Sequence, residues 1–191
     1  MRVLRYALAA LLVLLVLYVG ACTATSGDND PPLEHRWSID FPHSPQRLWA
    51  LMQDYGNWTQ YAPMVIEVQV LHPGDAQGNG LLRRVIYQMP LGRRGSALEL
   101  VTDVTPARGY TYTMISATPG NDQTGKLRLE RLGRNETRLH FEERYNLTAF
   151  PWRLFEKQIY GFINKKNEES MRSMSAWLTE HPEYRPDLVE T

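Results

Sequence analysis

Glu143 is the residue hardest to reconcile with an inert core. In the run from Thr137 to Leu147, alternation puts Leu139, Phe141 and Tyr145 on one face of a strand, and Glu143 falls among them. A carboxylate on an apolar face must be paired with a cation, neutralised by a raised pKa, or wetted by a cavity. Pairing with Arg84 or an equivalent strand arginine is the simplest resolution. A one-residue bulge that turns the side chain outward is a second, and an acid that touches a ligand is a third. Tyr87, Tyr112 and Tyr145 alternate onto apolar faces in the same way. A buried phenol needs a hydrogen-bond partner, which the polar head of a ligand can supply. A carboxylate and a tyrosine sharing one pocket could act as acid and base, and plain core packing explains the same residues.

Other chemistries find little support. A single cysteine, Cys22, excludes an internal disulfide and any site built from several thiolates. The five histidines, His35, His43, His72, His140 and His181, lack metal-ligand spacing, and no G-x-S-x-G elbow accompanies them. No metal, nucleotide or haem cofactor is implied. Gly78-Asn79-Gly80 has neither a third glycine nor a following helix, so it reads as a hairpin turn and not a dinucleotide loop. Lys+Arg equals Asp+Glu at 21 each, which leaves no summed positive field for nucleic acid. Arg83-Arg84 and Arg93-Arg94 flank one hairpin; they read as solvated strand-end charges or as contacts for an anionic head group. Hydrophobic residues make up 43% of the chain, enough for a packed core and too many for extended disorder.

The elements that must position these side chains follow from periodicity. A strand runs through Trp37, Ile39 and Phe41. Ser44 and Pro45 open a helix as N-cap and first residue, with Leu48, Trp49, Leu51, Met52 and Tyr55 on its broad apolar face. A second short helix spans Trp58 to Tyr61 before Pro63. Six alternating runs follow, Val65 to Leu71, Leu82 to Met89, Ser96 to Val104, Tyr110 to Ser116, Lys126 to Leu132 and Thr137 to Leu147, separated by turn residues. Seven strands joined by short turns predict an antiparallel meander. A long helix from Pro151 carries Phe155, Ile159, Phe162, Ile163, Met171, Met174 and Leu178 at three- and four-residue steps, and His181-Pro182 stops it. Its apolar stripe must lie on the sheet.

The N-terminus reads as a targeting segment. Arg2 and Arg5 precede an uncharged stretch from Tyr6 to Ala21. As a helix that stretch would be about 24 Å long, short of the ~30 Å hydrocarbon core. Val19-Gly20-Ala21-Cys22 resembles the bacterial lipobox, in which small residues precede a cysteine that is lipidated on sulfur and becomes the new N-terminus. An uncleaved single-pass anchor and ordinary cleaved secretion are the alternatives. The resemblance implies a lipid-anchored protein of the bacterial cell envelope. Thr23, where inner-membrane lipoproteins often carry Asp, points toward the outer membrane. Residues 23–33 are small, polar and proline-containing, as a flexible tether would be.

The rest of the chain is similar to the START-like, helix-grip (SRPBCC) superfamily, in its polyketide cyclase/dehydrase and lipid-transport branch. Phe41-Pro42-His43-Ser44-Pro45 leading into Leu48-Trp49-Ala50-Leu51 resembles the family's first strand and helix start. Asp54-Tyr55, Trp58, Tyr61 and Pro63 resemble its "D-Y-x-x-W-x-x-(W/Y)-x-P" stretch, and Gly78-Asn79-Gly80 with Arg83 or Arg84 its "G-x-G-x-x-R" turn. Val104-Thr105-Pro106 before Tyr110 and Tyr112, and Glu136-Thr137-Arg138-Leu139, match later positions. The resemblance implies an α+β helix-grip fold over residues 34–182: a curved seven-stranded antiparallel sheet around a long C-terminal helix, with two short helices after strand 1 and a polar tail at 183–191. These motifs build turns and core and carry no chemistry of their own.

Such a fold implies an elongated apolar cavity for a hydrophobic small molecule or lipid. The candidate ligand-binding residues are Tyr87, Met89, Tyr112, Glu143, Tyr145, Phe155, Ile159 and Phe162, with Cys22 as the lipidation site. Three functions compete. One is a membrane-tethered binding or carrier protein, which the absence of a catalytic motif favours. A second is a cyclase/dehydrase-like enzyme using Glu143 and a pocket tyrosine. The third is a scaffold whose cavity its own aromatics fill, which a cavity too small for a ligand would favour. The oligomeric state is not legible.

Overall fold

The computed structural model describes residues 2–25, 32–89, 92–116, 121–147 and 155–184. The expected helix start at Pro151, the turn residues Leu91, Pro119 and Gly120, most of the tether and nearly all of the tail lie outside them. Helix α1 (Arg2–Thr25) is followed by β1 (Leu33–Phe41), α2 (Pro45–Gln53), a single 3₁₀ turn (Tyr55–Asn57) and α3 (Trp58–Tyr61). Six strands come next: β2 (Val65–His72), β3 (Leu82–Gln88), β4 (Arg94–Thr105), β5 (Gly109–Ser116), β6 (Asn121–Gly133) and β7 (Glu136–Leu147). Helix α4 (Glu156–Glu180) closes the chain. This is the α+β helix-grip arrangement that the periodicity and the resemblance predict.

Local chemistry explains the borders. Ser44 Oγ caps α2 by accepting from the Arg47 N–H at 3.4 Å, and Pro45 occupies the first turn, where no N–H is needed. Gly74 has φ near +79°, and a Cβ there would lie 2.6 Å from the Asn79 carbonyl oxygen, so only glycine fits the turn after β2. In the same turn Asp75 accepts from the Asn79 N–H at 2.8 Å, while Asn79 Oδ1 accepts from the Val104 N–H at 2.8 Å. Gly78-Asn79-Gly80 therefore pins a hairpin loop to β4.

The seven strands form one antiparallel sheet in the order β1-β7-β6-β5-β4-β3-β2. Register shifts interrupt the β2–β3, β4–β5 and β6–β7 ladders, and such bulges increase twist and bend a sheet. The outer face of β1 and β7 carries ion pairs, among them Arg138–Asp40 at 2.7 Å and Arg144–Glu34 at 3.0 Å. On the inner face the main core joins Phe41, Leu48, Leu51 and Met52 to Val101, Tyr110, Leu127, Leu139 and Phe141, and to Met174 and Leu178 of α4. A smaller cluster of Tyr145, Leu147 and Tyr160, with Leu33, Ile159 and Ile163, lies under the first turns of α4. Tyr184 docks too, donating to Asp54 Oδ2 at 2.9 Å.

Two expectations are corrected. Strand β6 begins at Asn121 and not Lys126, because Gly125 continues the ladder opposite Tyr112 and Glu143 and does not end it. The inward seam of α4 is Tyr160, Asn164, Asn167, Ser170, Met174 and Leu178, so its middle is polar. Phe162, two residues from both Tyr160 and Asn164, stands about 200° around the helix from each and is exposed, as is Phe155.

Candidate functional site

Between the two apolar clusters the inner face carries a row of polar side chains. The strand register builds it. His35 of β1 pairs with Glu143 of β7, Glu143 with Gly125 of β6, and Gly125 with Tyr112 of β5. Gly125 makes the row possible. A Cβ there would sit 2.3 Å from the Tyr112 ring, so the missing side chain is the space through which Tyr112 crosses β6 to reach β7. Tyr112 Oη donates to Glu143 Oε1, and Tyr145 Oη donates to Glu143 Oε2. Gln123 Nε2 donates to Oε1 at 2.7 Å, and Asn167 Nδ2 of α4 donates to Oε2 at 3.1 Å.

Glu143 is 1% exposed and bonds to no arginine or lysine among the described residues. It lies inside without a bulge, and Arg84, its expected partner, is exposed on the outer face beside Gln69. Burial raises its pKa from 4.5 to about 7; the donated hydrogen bonds oppose that rise, and the Glu99 charge adds to it. Near neutrality Glu143 is therefore a buried acid divided between two protonation states. Burial and the nearby Glu143 charge push the Tyr112 phenol well above its ordinary pKa, so it stays a donor.

A second buried carboxylate lies one strand further on. Glu99 of β4 is opposite Arg83 of β3, which donates from Nε and Nη2 to Glu99 Oε2 at 2.8 Å each. Tyr87 donates to Glu99 Oε1 at 2.8 Å. The Arg83 guanidinium lies 4.5 Å from the Trp58 ring centre, with Tyr55 and Tyr110 at 5.3 and 5.7 Å. The residues of the "D-Y-x-x-W" stretch thus form an aromatic cage over a buried ion pair. Arg83 Nη1 has no hydrogen-bond partner among the described residues.

Of the residues singled out from sequence, Tyr112, Glu143 and Tyr145 share one network, and Tyr87 joins the adjoining Glu99. Ile159 packs on Tyr145 and Tyr160. Met89, Phe155 and Phe162 are 40%, 46% and 37% exposed, outside both networks. Gln123, Asn164, Asn167 and Glu99 are not among the residues singled out, and Arg83 is among them only as a strand-end charge or head-group contact and as an arginine of the turn motif. The asparagines sit at helical spacing between Tyr160 and Met174, and Arg83 alternates with Val85 and Tyr87. Both signals are in the sequence.

The Glu143 network reaches the surface at a cleft of about 220 Å³ between β1 and α4, lined by Leu33, His35, Tyr145, Tyr160, Gly161 and Asn164, with Glu34 and Lys157 also on its wall. The Tyr145 and Tyr160 rings stack at 4.1 Å and form its apolar side. Tyr145 Oη also lies 2.8 Å from Asn164 Oδ1, so the phenol connects Glu143 to the cleft wall. Another groove, of about 430 Å³, lies on the outer face of β3 and β4 beside Arg84, Ile86, Arg94 and Leu98. Neither is the elongated apolar cavity expected under the helix; among the described residues, side chains occupy that middle ground.

Comparison with known proteins places this architecture. No curated protein sequence matches the chain. Among solved structures, the Zhui aromatase/cyclase from Streptomyces sp. R1128 aligns over 78% of this chain and 94% of its own, with TM-score 0.66 and 14% identity. A START superfamily protein from Mycobacterium smegmatis aligns over 76% and 98%, with TM-score 0.64 and 12% identity. A protein from Thermus thermophilus aligns over 75% and 95%, with TM-score 0.63 and 18% identity. These likenesses establish the fold. The sequence model described as polyketide cyclase / dehydrase and lipid transport matches residues 34–183, from β1 through α4, and the chain belongs to that family.

Proposed function

We propose that this protein binds a small, mostly apolar molecule with one polar end, from a lipid-anchored position in a bacterial envelope. The molecule enters the β1–α4 cleft, its apolar part against Tyr160 and Leu33 and its polar end toward the Glu143 network. Glu143 carries this reading. A carboxyl group 1% exposed, bonded to no cation among the described residues and surrounded by four donors, is costly in a core whose only task is packing. Its link through Tyr145 to an open cleft gives that cost a use. The cleft volume, about 220 Å³, is below the range of roughly 300–1,000 Å³ usual for drug-sized ligands. It suits one ring or the end of a chain. The lipobox resemblance at Val19-Gly20-Ala21-Cys22 and the exposed leucines of α1 support the anchor.

An enzyme of the cyclase/dehydrase kind is the second reading. The specific observation in its favour is the Glu143 pKa of about 7, which suits a group that both gives and takes a proton. The test is native purification of the full chain, solvent extraction and mass spectrometry of the extract. A stoichiometric apolar molecule, lost in Tyr145→Phe and Glu143→Gln, is the expected result. An empty extract together with turnover of an added aryl ketone substrate favours the enzyme; an empty extract from an inert, folded protein favours a filled-core scaffold.

A further inference from the structure

Tyr145 has one hydroxyl hydrogen and two acceptors, Glu143 Oε2 and Asn164 Oδ1. It cannot serve both at once. When Glu143 is ionised it takes that hydrogen. The phenol oxygen is then left as an acceptor, and the Asn164 amide turns its NH₂ toward Tyr145 and its carbonyl toward the cleft. When Glu143 holds a proton, its own O–H donates to the phenol oxygen and the phenol donates to Asn164 Oδ1. The Asn164 NH₂ is then directed to the cleft. The structure has Asn164 Oδ1 on Tyr145, and Asn164 Nδ2 has no partner among the described residues although Asn164 lines the cleft.

We infer that Asn164 is the specificity-determining contact of the cleft, donating its amide N–H to a ligand carbonyl while Glu143 is protonated and offering its carbonyl to a ligand hydroxyl once Glu143 is ionised. This rests on the binding function proposed above and names the ligand group. The groups facing Glu143 are consistent with it. Tyr112 on β5 and Gln123 on β6 donate to Oε1 in either state, and Asn167 on α4 donates to Oε2. Glu99 on β4, with Tyr87 of β3 and Arg83 bound to it, adds negative charge that opposes ionisation. On β1, His35 is the cross-strand partner of Glu143 and lies 3.9 Å from Glu168 of α4; Glu34 and Lys157 stand on the cleft wall. Since Glu143 changes state near pH 7, the carbonyl-binding form prevails below neutrality and the hydroxyl-binding form above it.

The test uses the full chain in detergent, with acetophenone and 1-phenylethanol as probes that differ only in ketone against alcohol. Calorimetry at about pH 5.5 and about pH 8.5 should give acetophenone a roughly fivefold tighter Kd at the lower pH, the size of one hydrogen bond gained or lost, and 1-phenylethanol the reverse. Without ligand, the Asn164 side-chain NH₂ resonances should titrate with a midpoint near 7. The titration of the Asn164 resonances, which needs no bound ligand, should vanish in Glu143→Gln, and also in Tyr145→Phe, which keeps the ring and removes the relay. An Asn164 amide that ignores pH overturns the inference. Probes that bind with no pH difference overturn it too while leaving the binding function standing. An amide that titrates in a protein that binds neither probe removes the binding function, and the ligand assignment falls with it.

Discussion

Glu143 stays buried because the fold tolerates its neutral form. The unfolded chain releases this proton near pH 4.5 and the folded chain near 7, so between those values the native state holds a proton that the unfolded state has lost. Stability therefore falls as pH rises through that window and levels off above it, by roughly 3 kcal/mol in all. Glu143→Gln removes the ionisation and keeps the shape. Its Tm should exceed that of the parent protein at about pH 8.5 and lose that advantage at about pH 5; equal pH profiles in thermal melts would show that Glu143 does not titrate in the fold. Gly125→Ala acts on the same site from the opposite side. Its methyl group would meet the buried Tyr112 ring, with an expected cost of about 1–3 kcal/mol in urea denaturation and loss of the Tyr112–Glu143 contact. Adding Tyr112→Leu to Gly125→Ala should recover most of that stability. Alternation alone placed Glu143 inward, so its oddity was legible in the sequence. Its company was legible only in part: alternation makes Tyr112 and Tyr145 pocket candidates beside it, but the contacts of Tyr112 and Gln123 with Glu143 come through a cross-strand register that no local pattern encodes.

At the scale of elements, the Arg83–Glu99 pair ties β3 to β4 beneath the 3₁₀ turn and α3. Both side chains are at most 5% exposed, so each is the other's main compensation for lost water. Glu99→Gln leaves Arg83 buried with an unpaired charge and should cost about 3–5 kcal/mol. Replacing both, as in Arg83→Met with Glu99→Met, should cost far less, since two apolar side chains need no compensation. Urea titrations of Arg83→Met, Glu99→Met and the double variant give the coupling, and additive effects would show that the pair does not act as a unit. This region is only partly legible in the sequence. Period-two runs marked every strand, and the aromatic stretch from Tyr55 to Tyr61 was visible. Yet pairing Glu143 with Arg84 or an equivalent strand arginine fails, since alternation with Val85 and Tyr87 puts Arg83 on the inner face, where its partner is Glu99. The seam of α4 departs from the expected apolar stripe for a related reason: the helix turns Asn167 inward to meet the Glu143 carboxyl group and Asn164 to meet the Tyr145 hydroxyl.

Over the whole molecule, the folded domain and the N-terminal segment make opposite demands on solvent. The ion-paired outer face of β1 and β7 is suited to water. Helix α1 displays Leu8, Leu11, Leu12, Leu14 and Leu17, each more than 55% exposed, a surface that water penalises by about 25 cal/mol for each Å² left uncovered. Among the described residues no helix is long and apolar enough to cross a membrane. An apolar segment of this kind can be removed by processing or can remain as an anchor, and the thiol at Cys22 distinguishes the two. If the cysteine is the lipid attachment point, two things should follow in bacterial cells: the parent chain should incorporate radiolabelled palmitate, and intact-mass analysis should find the chain beginning at residue 22. Cys22→Ala should then lose the label and retain the leader. If Cys22→Ala keeps the same N-terminus and the same membrane fraction as the parent, the lipid anchor is wrong, and α1 is then either an uncleaved anchor or an ordinary export signal. The outcome also bears on the ligand: a cleft opening between β1 and α4 on a domain held to a bilayer by the tether before β1 would face a local supply of apolar molecules, whereas a released domain would have to find its ligand in water.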